Sequence, residues 1–247
     1  MKSSPTWQYD EMKPVGKDYA NVSEVEKYDA FHSQFRNIEK DNEAILNRLS
    51  VQKNQIVLEF GTGTGAFAIQ AAKCCEKVYA VDVSQAMLDY AKNKAITNGV
   101  SNITFCHGGF LTYKHKDAPV DFVVTSFALH HRPDFWKAVA LQRINSLLKK
   151  GGKLFLADVV FSEEDYMVNI AKWIAQIKSL GGKGLIEAAA CTRIVYNWLQ
   201  FFSHEALETE FVECGFTIDK FYSDVAGTAF RSQANEFAVV AKKQTMT

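Results

Sequence analysis

The chain has 247 residues with 28 basic and 28 acidic side chains, so no global field draws in a polyanion and nucleic acid is not expected as a partner. The five cysteines, Cys74, Cys75, Cys106, Cys191 and Cys214, form no C-x-x-C pair, so neither a disulfide framework nor a metal site is expected. No run of about eighteen apolar residues occurs and the start of the chain lacks an apolar h-region, so no membrane span and no signal peptide are expected, and the location expected is cytoplasmic.

Residues 1–20 are polar and irregular. Residues 22–50 read as helical, with Ile38, Ile45, Leu46 and Leu49 at helical spacing. The apolar run at 55–59 predicts a buried strand, and a glycine loop leads from it into a helix over 65–73. Residues 77–82 predict the second strand and 84–99 the second helix, with Ser84 placed to cap it and Gly99 just past its end. A third strand is expected at 102–107 and a fourth at 121–129. Pro133 then opens a helix running to residue 150, before a fifth strand at 152–160.

Beyond it, residues 161–180 and 185–202 read as helical around Gly181, Gly182 and Gly184, a pattern that predicts a lid with a mobile hinge near 181–185. A helix at 203–214 precedes strands at 215–223 and 235–243, which read as an antiparallel pair closing the sheet edge. Strands separated by helices predict an α/β fold with a doubly wound, mostly parallel seven-stranded sheet. It would form one domain: a helical N-terminal cap (1–50), a cofactor-binding core (51–160), a helical lid (161–202) and a C-terminal helix with its hairpin (203–247).

The stretch "VLEFGTGTGAFAIQAA" raises the question of a ligand. Gly61, Gly63 and Ala66 satisfy the dinucleotide pattern G-x-G-x-x-G/A, yet a loop of this kind suits S-adenosylmethionine as well. Asp82, about twenty residues on, ends a strand where a carboxylate can accept both ribose hydroxyls of either cofactor. Glu59 favours the second. A carboxylate at the mouth of the loop repels a pyrophosphate and suits a ligand carrying ammonium and sulfonium charges.

In this order, "VLEFGTGTG", "VYAVDVSQAML", "DFVVTSFALHH" and "LLKKGGKLFLADV" resemble the class I S-adenosylmethionine-dependent methyltransferases over residues 56–160, and "FVECGFTID" extends the likeness. The phrase "ALHHRPDFW" is similar to the small-molecule group, type 11, that includes methyltransferases of ubiquinone and menaquinone biosynthesis. The resemblance implies that Gly61, Thr62, Gly63 and Gly65 line the methionyl part of the cofactor with Glu59 behind them. It further implies that Asp82 takes the ribose, that Val83 and Met87 flank the adenine, and that Ser126 belongs to the same site. The chain departs from the pattern after the third strand. Many members carry Gly-Asp there, the acid facing the adenine amino group, whereas this chain has Gly109 followed by Phe110. That leaves the backbone and Phe110 to read the base.

His130 and His131 follow the fourth strand, where one could orient the acceptor or take its proton. The plainer alternative is that one bonds backbone while the other packs against Trp136. No D/N-P-P-Y/F motif follows that strand, and Asp158 lacks the companions of a magnesium site. Aromatic side chains crowd the cap and lid, and Tyr19, Tyr28, Phe31, Trp173, Tyr196 and Trp198 are the candidates for a substrate pocket. The function expected is methyl transfer from S-adenosylmethionine to a small organic acceptor by in-line displacement, in a monomer or homodimer. An NAD(P)-dependent oxidoreductase and a non-enzymatic cofactor-binding protein remain the alternatives.

Overall fold

The computed structural model describes residues 9–13, 25, 29, 33, 36–159, 171, 175, 204–229 and 236–244. In chain order these form α1 (Ile38–Leu49), β1 (Ile56–Phe60), α2 (Ala66–Ala72), β2 (Lys77–Asp82), α3 (Gln85–Thr97), β3 (Ile103–His107) and β4 (Val120–Ser126). A 3-10 turn (Leu129–His131), α4 (Asp134–Leu147), β5 (Leu148–Val159), α5 (His204–Glu213), β6 (Phe216–Tyr222) and β7 (Glu236–Lys243) complete them. The predicted lid and its glycine hinge lie outside the described residues, except that Ala171 and Ala175 are helical. No described helix is long and apolar enough to cross a membrane.

The strands form a seven-stranded sheet in the order β3-β2-β1-β4-β5-β7-β6. Pairing is parallel from β3 to β5, and β7 runs antiparallel to both β5 and β6. The chain winds outward from β1 through β2 to β3, then returns to β4 on the other side of β1. Ligands of such sheets bind beyond the carboxyl ends of the strands at this reversal.

Burial on both faces explains the nearly unbroken apolar runs. Alternation along β1 sends Leu58 and Phe60 to one face, where they join Leu141 and Ile144 of α4 and Phe211 of α5. Val57 goes to the other, with Ile45, Leu46 and Leu49 of α1 and Phe67, Ala68 and Ala71 of α2. Each fully buried aliphatic or aromatic side chain contributes about 1.5–3 kcal/mol. By the same alternation Glu59 points to the α2 side, away from Phe60.

Ser84 caps α3 as its position predicts, its Oγ accepting from Met87 N at 3.2 Å. Three boundaries differ from the pattern. Helix α2 begins at Ala66 because Gly65 is its left-handed cap, φ 76°. Strand β4 stops at Ser126 because Phe127 is left-handed, φ 54°. Helix α4 ends at Leu147, and the next residues already pair in β5, Leu148 lying beside Val120. Strand β5 therefore begins at Leu148 and not at residue 152, and Gly151 and Gly152 lie inside it at an irregularity that shifts register.

Candidate functional site

The glycine loop is pinned to β2. Gly61 N and Thr62 N both donate to Val81 O, at 2.9 and 3.1 Å. Its glycines do different work. A Cβ on Gly61 would stand 2.5 Å from the Ala128 Cβ, and one on Gly65 would stand 2.8 Å from the Ala91 Cβ of α3. A Cβ on Gly63 would meet nothing within 4 Å, so there the loop faces open space. All three have positive φ, which glycine adopts without strain.

Asp82 ties the loop to the start of α3. Its Oδ2 accepts from Gly63 N and its Oδ1 from Ser84 N, each at 2.8 Å. Burial pushes its carboxyl up, while those backbone donors pull it back. Beyond Asp82 a cleft is lined by Val83, Met87, Gly108, Gly109 and Phe110. Phe60 stacks on Phe110 at 4.9 Å between ring centroids, and Arg143 of α4 donates to the carbonyls of Phe110 and Tyr113, each at 2.8 Å. Those contacts fix the β3–β4 loop as a wall.

The same cleft continues to the turn after β4, where Phe127, Ala128, His131 and Arg132 line it. Left-handed Phe127 donates its N–H to Ala157 O at 2.8 Å, and the Arg36 guanidinium lies 4.6 Å from its ring centroid. A non-glycine residue in this conformation is strained and persists only where neighbours hold it. His130 faces inward to Asp158, its Nδ1 2.6 Å from Oδ1. The His131 ring lies tilted against that of His130, with centroids 4.2 Å apart, and borders the cleft.

The pattern of a family described as a methyltransferase domain matches residues 57–152. An uncharacterized methyltransferase of Anoxybacillus flavithermus is 29% identical over 210 residues, covering 83% of this chain and 92% of its own. Another, from Geobacillus sp., is 32% identical over 155 residues, covering 60% of this chain and 71% of its own. The chain is an S-adenosylmethionine-dependent methyltransferase. The fold agrees: the N-methyltransferase NodS of Bradyrhizobium japonicum, solved with S-adenosylhomocysteine, superposes with a TM-score of 0.62 at 16% identity, over 92% of this chain and all (100%) of that one.

In this methyltransferase seven of the cofactor-site candidates, Gly61, Gly63, Asp82, Val83, Met87, Gly109 and Phe110, border one cleft together with the catalytic candidate His131. The open space at Gly63 and the carboxylate of Asp82 fit a cofactor with a ribose and a zwitterionic tail. Glu59, Thr62, Gly65, Ser126 and His130 stand behind its lining. Glu59 Oε2 accepts from Thr62 Oγ1 at 2.6 Å, and burial, with Asp82 adding to it, pushes the carboxyl up to about 8. It is mostly protonated at neutral pH, so the charge argument read from the sequence does not describe the ligand-free protein. There Glu59 serves as a hydrogen-bonded brace behind the loop.

Burial first, then His130 and Arg132, hold the His131 imidazole well below its ordinary value of 6.5, so it is neutral at pH 7. The His130 ring is held by a carboxylate and not by backbone. The six candidate substrate-pocket residues, Tyr19, Tyr28, Phe31, Trp173, Tyr196 and Trp198, lie outside the described residues. Sequence reasoning missed Arg132 and Phe127, though both adjoin the histidine motif. It also missed Tyr9, whose hydroxyl donates to His131 O at 3.4 Å, and Glu11, buried beside Gly109.

Proposed function

We propose that the enzyme methylates a small organic acceptor whose nucleophilic atom loses a proton as it reacts. The observation that carries this is His131: a neutral imidazole on the wall of the cleft that Asp82 also lines. When bound, S-adenosylmethionine supplies an electrophilic methyl group on a sulfonium. Asp82 accepts from the ribose hydroxyls, with Val83, Met87 and Phe110 around the base. Gly61 and Gly63 allow the methionyl part to lie against backbone. These placements hold the methyl carbon toward the turn after β4.

His131 then has one task. As the acceptor's heteroatom bonds to carbon and the carbon–sulfur bond breaks, the acceptor's proton passes to the imidazole and later to solvent. Asp158 keeps His130 fixed behind it, so the turn presents His131 in one position. Balanced net charge supports a small acceptor over a nucleic acid.

Radiolabelled methyl transfer tests the proposal. A panel of phenols, amines and thiols is set against unfractionated tRNA and protein. Label in a small acceptor, dependent on His131, is expected; label confined to a macromolecule would contradict it.

A further inference from the structure

Glu11 reaches the β3–β4 loop, behind the cleft wall at Gly109, from far along the chain. It is 2% exposed, and its Oε1 accepts three hydrogen bonds: from Leu111 N at 2.8 Å, and from Thr112 N and Thr112 Oγ1 at 2.7 Å each. Its other oxygen differs. Oε2 is buried and has no hydrogen-bond partner among the described residues; Arg132, its Nε at 3.5 Å, forms an ion pair with it but no hydrogen bond. A carboxylate oxygen buried in this way is costly unless a donor reaches it.

Gly109 shows where that oxygen lies. A Cβ there would come within 2.6 Å of both Glu11 Oε2 and the Glu11 carboxyl carbon, and within 2.8 Å of Val83 Cγ1. Unlike Gly61 or Gly63, Gly109 lacks a left-handed φ. Space alone therefore excludes a side chain at 109, and the Glu11 carboxyl group fills that space. Val83, Gly109 and Arg132, which surround the group, all border the cleft.

A purine placed between Val83 and Phe110 turns an edge to this wall. We infer that Glu11 is a specificity-determining residue for the cofactor: Oε2 accepts from the 6-amino group of the base and repels a 6-oxo group. The inference rests on the proposed placement of the nucleoside across Asp82 and Val83. The three donors on Oε1 would be served equally by a glutamine, so bracing the loop does not call for a charge; the Arg132 ion pair and the base are the two groups that do.

The test is calorimetric titration of S-adenosylhomocysteine and its 6-oxo analogue, S-inosylhomocysteine. The wild type should prefer the amino form by about tenfold or more, the loss expected when one buried polar group meets the wrong partner. Glu11→Gln keeps an oxygen for the loop and turns an amide N–H₂ toward the base, so the preference should fall to about threefold or less, or reverse. The double variant Glu11→Ala/Gly109→Asp removes the Glu11 overlap, leaves Val83 Cγ1 at 2.8 Å to shift, and returns a carboxylate from the loop itself. It should recover a preference of about tenfold even if Glu11→Gln does not fold. A wild type without preference, a folded Glu11→Gln that keeps it, or a double variant that lacks it would overturn the inference. So would a Glu11→Gln that weakens both nucleosides equally, which marks a brace only. Asp82→Ala should weaken both alike. If that holds while the Glu11→Gln ratio is unchanged, the inference about Glu11 fails and the placement stands.

Discussion

Asp158 holds His130 from two directions: Oδ1 lies 2.6 Å from Nδ1, and Oδ2 accepts the His130 backbone N–H at 3.1 Å. The carboxylate thereby fixes both a ring and the turn that carries His131 to the cleft. Asp158→Asn should keep the shape and lose the charge-assisted bond, lowering kcat by roughly tenfold or more. Affinity for S-adenosylhomocysteine should stay within about threefold, since no proposed cofactor contact involves Asp158. Steady-state kinetics and calorimetry on one preparation check this.

His131→Ala should lower kcat by about a hundredfold, at the low end for a general base. Because the imidazole titrates well below 6.5, kcat/KM should stay flat from pH 8 to 6.5 and fall only in stronger acid. An essential group protonating at 6.5 or above would exclude His131 as the base.

Glu59 makes stability depend on pH. Its folded carboxyl titrates near 8 against 4.5 for an ordinary glutamate, so between those values the folded chain keeps a proton that the unfolded chain has lost. The contribution is fully present below 4.5 and is lost as pH rises toward 8. Glu59→Gln removes this dependence. Its Tm relative to wild type should rise between pH 5 and pH 8 in thermal scans without ligand.

Gly61 and Gly63 separate packing from ligand space. Both are left-handed, a conformation that costs alanine about 1–2 kcal/mol. Gly63→Ala should therefore lower Tm by a few degrees, yet weaken S-adenosylhomocysteine by about tenfold, because its methyl enters the open side of the loop. Gly61→Ala adds an overlap with Ala128 and should lower Tm further.

Much of this site could be read in advance, for a physical reason. The glycine loop, Asp82, Val83 and Met87 are close in sequence, and periodicity places the strands that present them. What escaped depends on distance or on local conformation. Glu11 meets its loop across a hundred residues, |i−j| 100 for Leu111, from a polar stretch without periodicity. Phe127 looked like strand because nothing in a phenylalanine announces a left-handed turn. Residues 148–150 read as the end of a helix, whereas they already belong to β5, with an irregularity that shifts register before Lys153.

The central claim is that the cofactor's ribose sits on Asp82, and calorimetry of S-adenosylhomocysteine on Asp82→Ala tests it most directly. Losing charge-assisted hydrogen bonds of roughly 1.5–3 kcal/mol each should weaken binding by about tenfold or more. Thermal scans establish that the variant is folded. Wild-type affinity in a folded Asp82→Ala would place the nucleoside elsewhere and contradict the account.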